Sequence, residues 1–172
     1  HFKDLLVSLM NTQRSKNNNP DFSACKNDAT ALAYAFEHKN EAKEQKKITE
    51  IFTLRSKKEI ELIIRNYSSV SGKDILKGIQ TYFSGSVYRT LEGIIYAILS
   101  PSEYFAKRIN ESIVGLGTDD VSLVRILVTR FGKDLNEIKQ FYRQNYKTEL
   151  STDIIGDTSG SYQKLLVAIA NY

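Results

Sequence analysis

Residues 113–120 read Ile-Val-Gly-Leu-Gly-Thr-Asp-Asp, a short loop with two glycines between two helical patterns. Residues 156–160 read Gly-Asp-Thr-Ser-Gly and place a carboxylate, that of Asp157, in a second short loop. Glycine allows a backbone to turn sharply and to aim several carbonyl oxygens at one point. Carbonyl oxygens and one carboxylate are ligands that a hard divalent cation prefers, Ca²⁺ in particular. The two loops together therefore predict a calcium site.

The spacing of these residues resembles the calcium loop of the annexin family, which reads Gly-x-Gly-Thr, then thirty-eight residues, then an acidic side chain. Gly115, Gly117 and Thr118 fit the first part, and Asp157 is the thirty-ninth residue after Thr118. Two separate pieces agree in chemistry and in spacing, so the match is specific. The resemblance implies that the carbonyls of Ile113, Gly115 and Gly117 and the carboxylate of Asp157 bind one Ca²⁺.

A second, weaker calcium site is also implied by the resemblance, because the family has minor sites of this kind. Its candidates are the carbonyl of Thr118 and the carboxylate of Asp120. The alternative is that Asp119 and Asp120 only supply negative charge at the positive end of a helix, with Thr118 as its N-cap. Both interpretations stay open at this point.

The main site would be incomplete without another partner. Three carbonyls and a bidentate carboxylate supply five oxygens, whereas Ca²⁺ takes about six to eight ligands. Water or the phosphate oxygens of a lipid headgroup can fill the remaining positions. The resemblance thus implies calcium-dependent, peripheral binding to anionic phospholipid membranes, with linked calcium and lipid affinities. It also implies a cytoplasmic protein that moves to membranes when calcium rises; protein partners and self-association on membranes are left open.

An internal repeat organises the chain. A shift of 75 residues superposes residues 41–97 on the following copy without a gap; for example, Arg55 falls on Arg130, Ile63 on Ile138 and Tyr67 on Tyr142. Each copy carries five segments with helical spacing of apolar residues. We therefore expect an all-α fold, an annexin-like array of five-helix repeats packed side by side. The predicted divisions are a tail helix of a preceding repeat (1–11), a linker (12–27), one repeat (28–100) and a second repeat (101–172).

The first complete repeat departs from the calcium pattern. Residues 40–43 read Asn-Glu-Ala-Lys where the second repeat has Gly-Leu-Gly-Thr, and Tyr82 stands where Asp157 stands. We therefore expect no calcium site of the main type there. Its loop is instead rich in lysine, and two interpretations are open: the lysines touch anionic headgroups directly, or they form an ordinary solvated loop. The lysines concerned are Lys39, Lys43, Lys46 and Lys47. Tyr82 and Phe83 are interpreted as core residues rather than membrane-interface aromatics.

Bulk properties exclude few classes of protein. Hydrophobic content is 41%, charged content is 26% and net charge is +4, which favours anionic partners but gives no argument for nucleic acid. The single cysteine, Cys25, cannot form an internal disulfide and suits a reducing compartment. The chain opens at His1 inside a helical pattern, so we expect a fragment or a processed piece. The resemblance implies that it is the C-terminal half of a four-repeat protein.

Other kinds of site and function compete with this interpretation. An EF-hand needs alternating acidic residues around a central glycine, and a phosphate-binding loop needs a preceding strand, so neither fits. An enzyme is not expected, because the two histidines, His1 and His38, belong to no catalytic signature. The alternative to membrane binding is a calcium-independent helical scaffold for protein–protein interaction.

Overall fold

A computed structural model of the chain describes residues 2–11, 14–38, 42–115 and 117–172, with the backbone alone described for residue 42. Within these ranges the backbone forms eleven helices and no strand, which confirms the predicted all-α fold. None of these helices is long and apolar enough to cross a bilayer. In chain order they are α1 (Phe2–Met10), α2 (Phe22–Glu37), α3 (Ala42–Leu54), α4 (Lys57–Ser71), α5 (Ile75–Tyr82), α6 (Gly85–Leu99), α7 (Pro101–Ile113), α8 (Asp120–Arg130), α9 (Leu135–Tyr146), α10 (Leu150–Asp157) and α11 (Gly160–Asn171).

Polar side chains fix where several helices begin. The carboxylate of Asp21 accepts hydrogen bonds from the backbone N–H groups of Ser23 and Ala24 and so caps α2. α4 begins with a reciprocal capping box, in which the Glu59 N–H donates to the Ser56 hydroxyl at 3.2 Å and the Ser56 N–H donates to the Glu59 carboxylate at 2.7 Å. These caps satisfy N–H groups that have no partner inside the helix.

The linker prediction is wrong for residues 22–27, because they form the first turns of α2. Their polar composition suggested a loop, but Asp21 caps the helix and Cys25 is buried against the core with 3% of its surface exposed. Arg14, earlier in the predicted linker, is also held in place. The guanidinium of Arg14 donates to the carbonyls of Phe52 and Arg55, both at 2.7 Å, at the end of α3.

The chain divides into two compact units, residues 1–99 and 100–172, and each has its own hydrophobic core. In the first unit α2 lies along α4, and in the second α7 lies along α9. Because α7 and α9 follow α2 and α4 by the repeat period, the same helix pair builds both cores. The most deeply buried large side chains include Leu32, Phe52, Ile63 and Tyr67 in the first unit and Leu123, Ile138, Tyr142 and Ile154 in the second.

The tyrosine that repeats at positions 67 and 142 is buried in both units but has different neighbours. Tyr67 is 1% exposed, and Gly78 lies so close to it that a Cβ atom at position 78 would collide with its hydroxyl. Asp153 replaces Gly78 in the second unit, and its carboxylate accepts a hydrogen bond from the Tyr142 hydroxyl at 2.8 Å. Burial raises the pKa of both phenols.

A buried ion pair joins α2 to α3 in the first unit. Asp28 is 5% exposed and accepts a hydrogen bond from Arg55 Nε at 2.6 Å, while Lys47 Nζ lies 3.1 Å from its other oxygen. Burial opposes ionisation of Asp28, but the two cations outweigh it and lower the pKa of that carboxyl. In the second unit the equivalent arginine, Arg130, pairs instead with Asp134 at 2.7 Å, a partner four residues further along the chain.

Candidate metal centre

The predicted calcium loop connects α7 to α8. Ile113 is the last residue of α7 and is buried, whereas Gly115 and Gly117 are exposed and have φ angles of +136° and +85°. Residues other than glycine rarely adopt these φ angles, so the path of the loop depends on the two glycines. At the base of the loop the Asp119 N–H donates to the Ser112 carbonyl at 2.8 Å. The ends of the loop are therefore drawn together.

Leu116 lies outside the described residues, and the directions of the Ile113, Gly115 and Gly117 carbonyls stay predictions. Two positive φ angles within three residues change the backbone direction twice.

Asp157 is the last residue of α10, so it ends a helix rather than lying in the loop that the sequence predicted. The backbone beyond it is well anchored. The N–H and the hydroxyl of Thr158 both donate to the Ile154 carbonyl, at 3.0 and 2.6 Å. The side chain of Gln163 donates to the Ile155 carbonyl at 2.9 Å. Nothing in the sequence pattern singled out Gln163, because a lone surface glutamine in a helix carries no signal.

The two halves of the motif meet through a side-chain hydrogen bond. The Thr118 hydroxyl donates to Asp157 Oδ2 at 2.5 Å and lies 3.5 Å from the Asp157 carbonyl oxygen. Both side chains are half-buried. The contact joins residues 39 positions apart and brings the carboxylate to the end of the glycine loop.

The N-cap of α8 is Asp119, so the prediction that Thr118 caps this helix is wrong. The Asp119 carboxylate accepts a hydrogen bond from the Ser122 N–H at 3.1 Å. The Ser122 side chain and then this N–H lower the pKa of the carboxyl. The Thr118 hydroxyl is engaged with Asp157 instead. Asp119 takes the capping position because its carboxylate, one residue after Thr118, caps a helix as well as a threonine hydroxyl does.

Asp120 is the first residue of α8, where its charge is favourable to the helix dipole. It lies beside the Tyr162 hydroxyl, and burial together with the nearby Asp120 carboxylate raises the pKa of Tyr162 to about 12. These neighbours agree with the helix-charge interpretation of Asp119 and Asp120. A minor calcium site at Thr118 and Asp120 stays a prediction.

The donor chemistry at this corner suits a hard cation that binds oxygen. One carboxylate faces a loop whose remaining candidate donors are backbone carbonyls. In the described part of the chain, no group of three or more His, Cys, Asp or Glu side chains is placed to hold a metal ion. An ion at this corner would therefore depend on carbonyl oxygens as well as on Asp157, which is an arrangement that Ca²⁺ accepts and thiolate-seeking metals do not.

The corresponding corner of the first repeat is built differently. α3 begins at Ala42, whereas α8 begins at Asp120, three residues later in the repeat register. Tyr82 is the last residue of α5, as Asp157 is of α10. Its ring packs against Phe36 and Phe83, with ring centroids 6.1 and 4.7 Å away, so Tyr82 and Phe83 belong to the core as predicted.

Three of the lysines that the sequence predicted in a loop, Lys43, Lys46 and Lys47, lie on α3 instead, and they are only partly available to an anionic surface. Lys47 pairs with the buried Asp28, and Lys46 lies 3.8 Å from Glu50 on the same helix. Lys43 is exposed. Residues 39–41, including Lys39, lie outside the described residues. The contacts of Lys46 and Lys47 favour the solvated-loop interpretation.

The fold and this corner define a class of protein: an all-α array of five-helix repeats in which the loop after the first helix meets the end of the fourth. The annexin family profile matches residues 27–94 and 104–169. The chain belongs to the annexin family.

Individual relatives agree with this assignment. Human annexin A7 is 37% identical over 169 residues, which cover 98% of this chain and 34% of the relative. Dog annexin A4 is 35% identical over 168 residues, covering 98% of this chain and 52% of the relative. A crystal structure of chicken annexin V in complex with Zn²⁺ is 32% identical, has a TM-score of 0.87, and is matched over 99% of this chain and 53% of its own. The chain thus spans about a third to a half of the relatives it matches.

Proposed function

We propose that this chain binds anionic phospholipid membranes in a calcium-dependent and reversible manner, through the corner formed by the α7–α8 loop and the end of α10. The main calcium ligands are the carbonyls of Ile113, Gly115 and Gly117 and the carboxylate of Asp157. The observation that carries the proposal is the Thr118–Asp157 hydrogen bond, which brings the distant carboxylate to the glycine loop.

The proposed mechanism depends on an incomplete coordination shell. Calcium requires about six to eight oxygen ligands, and the corner offers five. Phosphate oxygens of a lipid headgroup would complete the shell, so the ion would bridge protein and membrane. Each ligand then raises the affinity for the other by the same factor. The role of this chain's residues is to hold the carboxylate and the loop in place before the ion arrives.

Two observations on other molecules support the proposal. The chicken annexin V structure holds a divalent cation, Zn²⁺, on the same fold. Human annexin A7 and dog annexin A4 are 37% and 35% identical to this chain over 98% of its length. A weaker ion at Thr118 and Asp120, contacts with protein partners, self-association on membranes and a cytoplasmic location that changes with calcium are further parts of the proposal.

The direct test is sedimentation with phosphatidylserine vesicles, with phosphatidylcholine vesicles as the uncharged control. We expect the chain to pellet with the anionic vesicles in calcium and to be released by a chelator. Pelleting that persists in chelator would contradict a calcium bridge. No pelleting in either condition would favour the calcium-independent scaffold instead.

The residue test is Asp157→Ala. We expect the calcium concentration for half-maximal sedimentation to rise roughly a hundredfold, because even changes to residues around metal ligands cost about 10–100-fold in affinity. The matched control is Glu149→Gln, which removes one negative charge at the opposite end of the same helix, where Glu149 accepts a hydrogen bond from Arg143. Equal calcium requirements for the two variants would refute the assignment of Asp157.

A further inference from the structure

The Asp157 carboxylate is held from one side only. Its Oδ2 atom accepts the Thr118 hydroxyl at 2.5 Å. In the described ranges no hydrogen bond reaches the other oxygen, Oδ1, and no lysine or arginine pairs with this carboxylate. The side chain is therefore fixed in direction, and both oxygens keep lone pairs for another ligand, because each oxygen of an ionised carboxylate can accept twice.

The hydrogen-bond donor, the Thr118 hydroxyl, is uncharged, and this determines how the contact affects cation binding. A threonine hydroxyl orients a carboxylate and leaves its negative charge intact, whereas a lysine would neutralise it and compete with a cation. The first repeat makes the contrast visible, because Lys43 occupies the place of Thr118 and Tyr82 that of Asp157. The neutral threonine thus occurs in the repeat that has the aspartate, and the lysine occurs in the repeat that has the tyrosine.

The contact also links the two chain segments that carry the proposed ligands. Thr118 directly follows Gly117, and Asp157 ends α10. The backbone around Asp157 is anchored by Thr158 and Gln163, so the freedom that remains is mainly rotation of the carboxylate. One hydroxyl is enough to remove that freedom.

We infer that Thr118 is a positioning residue for the calcium site, one that holds the Asp157 carboxylate towards the glycine loop through its hydroxyl. The inference rests on the proposed function. Groups around a metal that orient its ligands typically contribute about 10–100-fold to metal affinity. Thr118 acts through Asp157, and its hydroxyl is not itself a ligand.

The test compares Thr118→Val, which keeps the branched shape and loses the hydroxyl, with Thr118→Ser, which keeps the hydroxyl. The readout is the calcium concentration for half-maximal sedimentation with phosphatidylserine vesicles. We expect about a tenfold increase for the valine variant and a change of less than about threefold for the serine variant, which corresponds to less than about 0.7 kcal/mol. Urea unfolding in chelator checks that both variants fold; the valine variant should be somewhat less stable there, because it loses one hydrogen bond to a carboxylate.

A double-mutant cycle separates the inference from the proposed function. In the Asp157→Ala background, Thr118→Val should have no further effect, since its acceptor is gone. Three results would overturn the positioning role: an unchanged or lower calcium requirement in the valine variant, failure of serine to preserve binding, or the same loss with and without Asp157. If the parent chain needed no calcium at all, the proposed function would fall together with the inference.

Discussion

Residues 42–44 and residues 117–119 are copies of each other, one repeat period apart, and they fold differently. Residues 42–44 form the first turn of α3, whereas residues 117–119 end a loop and cap α8, which begins at Asp120. Alanine and lysine favour a helix where glycine and threonine do not. Inside a helix each carbonyl accepts a hydrogen bond from the N–H four residues on, so position 42 has no free carbonyl to offer an ion.

The second difference between the two corners is their charge. The pair Thr118 and Asp157 carries one negative charge, and the equivalent pair Lys43 and Tyr82 carries one positive charge. A cation is attracted to the first pair and repelled by the second. Loop path and charge thus change together, and either change alone would weaken a calcium site.

The cores of the two repeats have changed much less. Ile63 and Ile138 are both fully buried, and Tyr67 and Tyr142 are both buried at the same place in the helix pair. A core substitution leaves a cavity or forces an overpacked contact, so these positions are tightly constrained. The comparison teaches that one helical framework can keep or lose a ligand site by changes confined to one corner.

The largest stability effect that separates the two repeats is expected for Asp28→Asn. Asp28 is buried and paired with Arg55 and Lys47, so we expect a loss of about 2 kcal/mol, the usual value for hydrogen bonds to charged groups. The matched control, Asp134→Asn, breaks the pair with Arg130, in which the carboxylate is more exposed than that of Asp28, and should cost about 1 kcal/mol or less. Urea unfolding of both variants measures the difference.

Acid should reveal the same ion pair. The pKa of Asp28 is lower in the folded chain than in the unfolded one, where the pKa of an aspartate is about 3.9. Its contribution is therefore complete above about pH 4 and is lost as the pH falls through the lowered value. The Asn variant should approach the parent in stability on acidification. A constant difference between the two down to about pH 2 would contradict this assignment.

The next effect concerns the loop itself. Gly117→Ala should raise the calcium requirement about tenfold, because a φ of +85° costs a residue with a side chain about 1–2 kcal/mol and the loop will relax away from its path. A matched control is Gly132→Ala, whose φ of +69° carries a similar strain outside the candidate site. An added Cβ meets open space at both positions, so backbone strain is the shared effect. Equal calcium requirements in the two variants would show that the glycine geometry is irrelevant to binding.

The smallest effect tests a hydroxyl. In the described part of the chain the Tyr82 hydroxyl is buried without a hydrogen-bond partner, so Tyr82→Phe should stabilise the chain by up to about 1 kcal/mol. The same change at Tyr142 removes a hydrogen bond to Asp153 and should destabilise by about 1–2 kcal/mol. Thermal unfolding of the two variants should therefore shift in opposite directions. Shifts of the same sign would mean that the two hydroxyls have equivalent surroundings.

Periodicity predicted the helices well, because apolar spacing and the internal repeat report on the same buried faces. It failed at the start of α2, where the polar residues 22–27 form helical turns around one buried cysteine and depend on the Asp21 cap. At the candidate site, motif spacing predicted which residues belong together. It did not predict the Thr118–Asp157 hydrogen bond or the earlier start of α3, since both depend on side-chain geometry and on competition between a turn and a helix.

The lack of room for a side chain at Gly78 constrains the order in which substitutions in this repeat could occur. Any side chain at position 78 meets the Tyr67 hydroxyl and the Phe36 ring, so the aspartate found at the equivalent position 153 cannot simply be introduced. Tyr67 or Phe36 would first have to shrink or move, and that step by itself leaves a void in the core. A stepwise change from the arrangement at Gly78 to the one at Asp153 therefore passes through a less stable variant. Such a variant is a barrier to converting one repeat into the other by single substitutions.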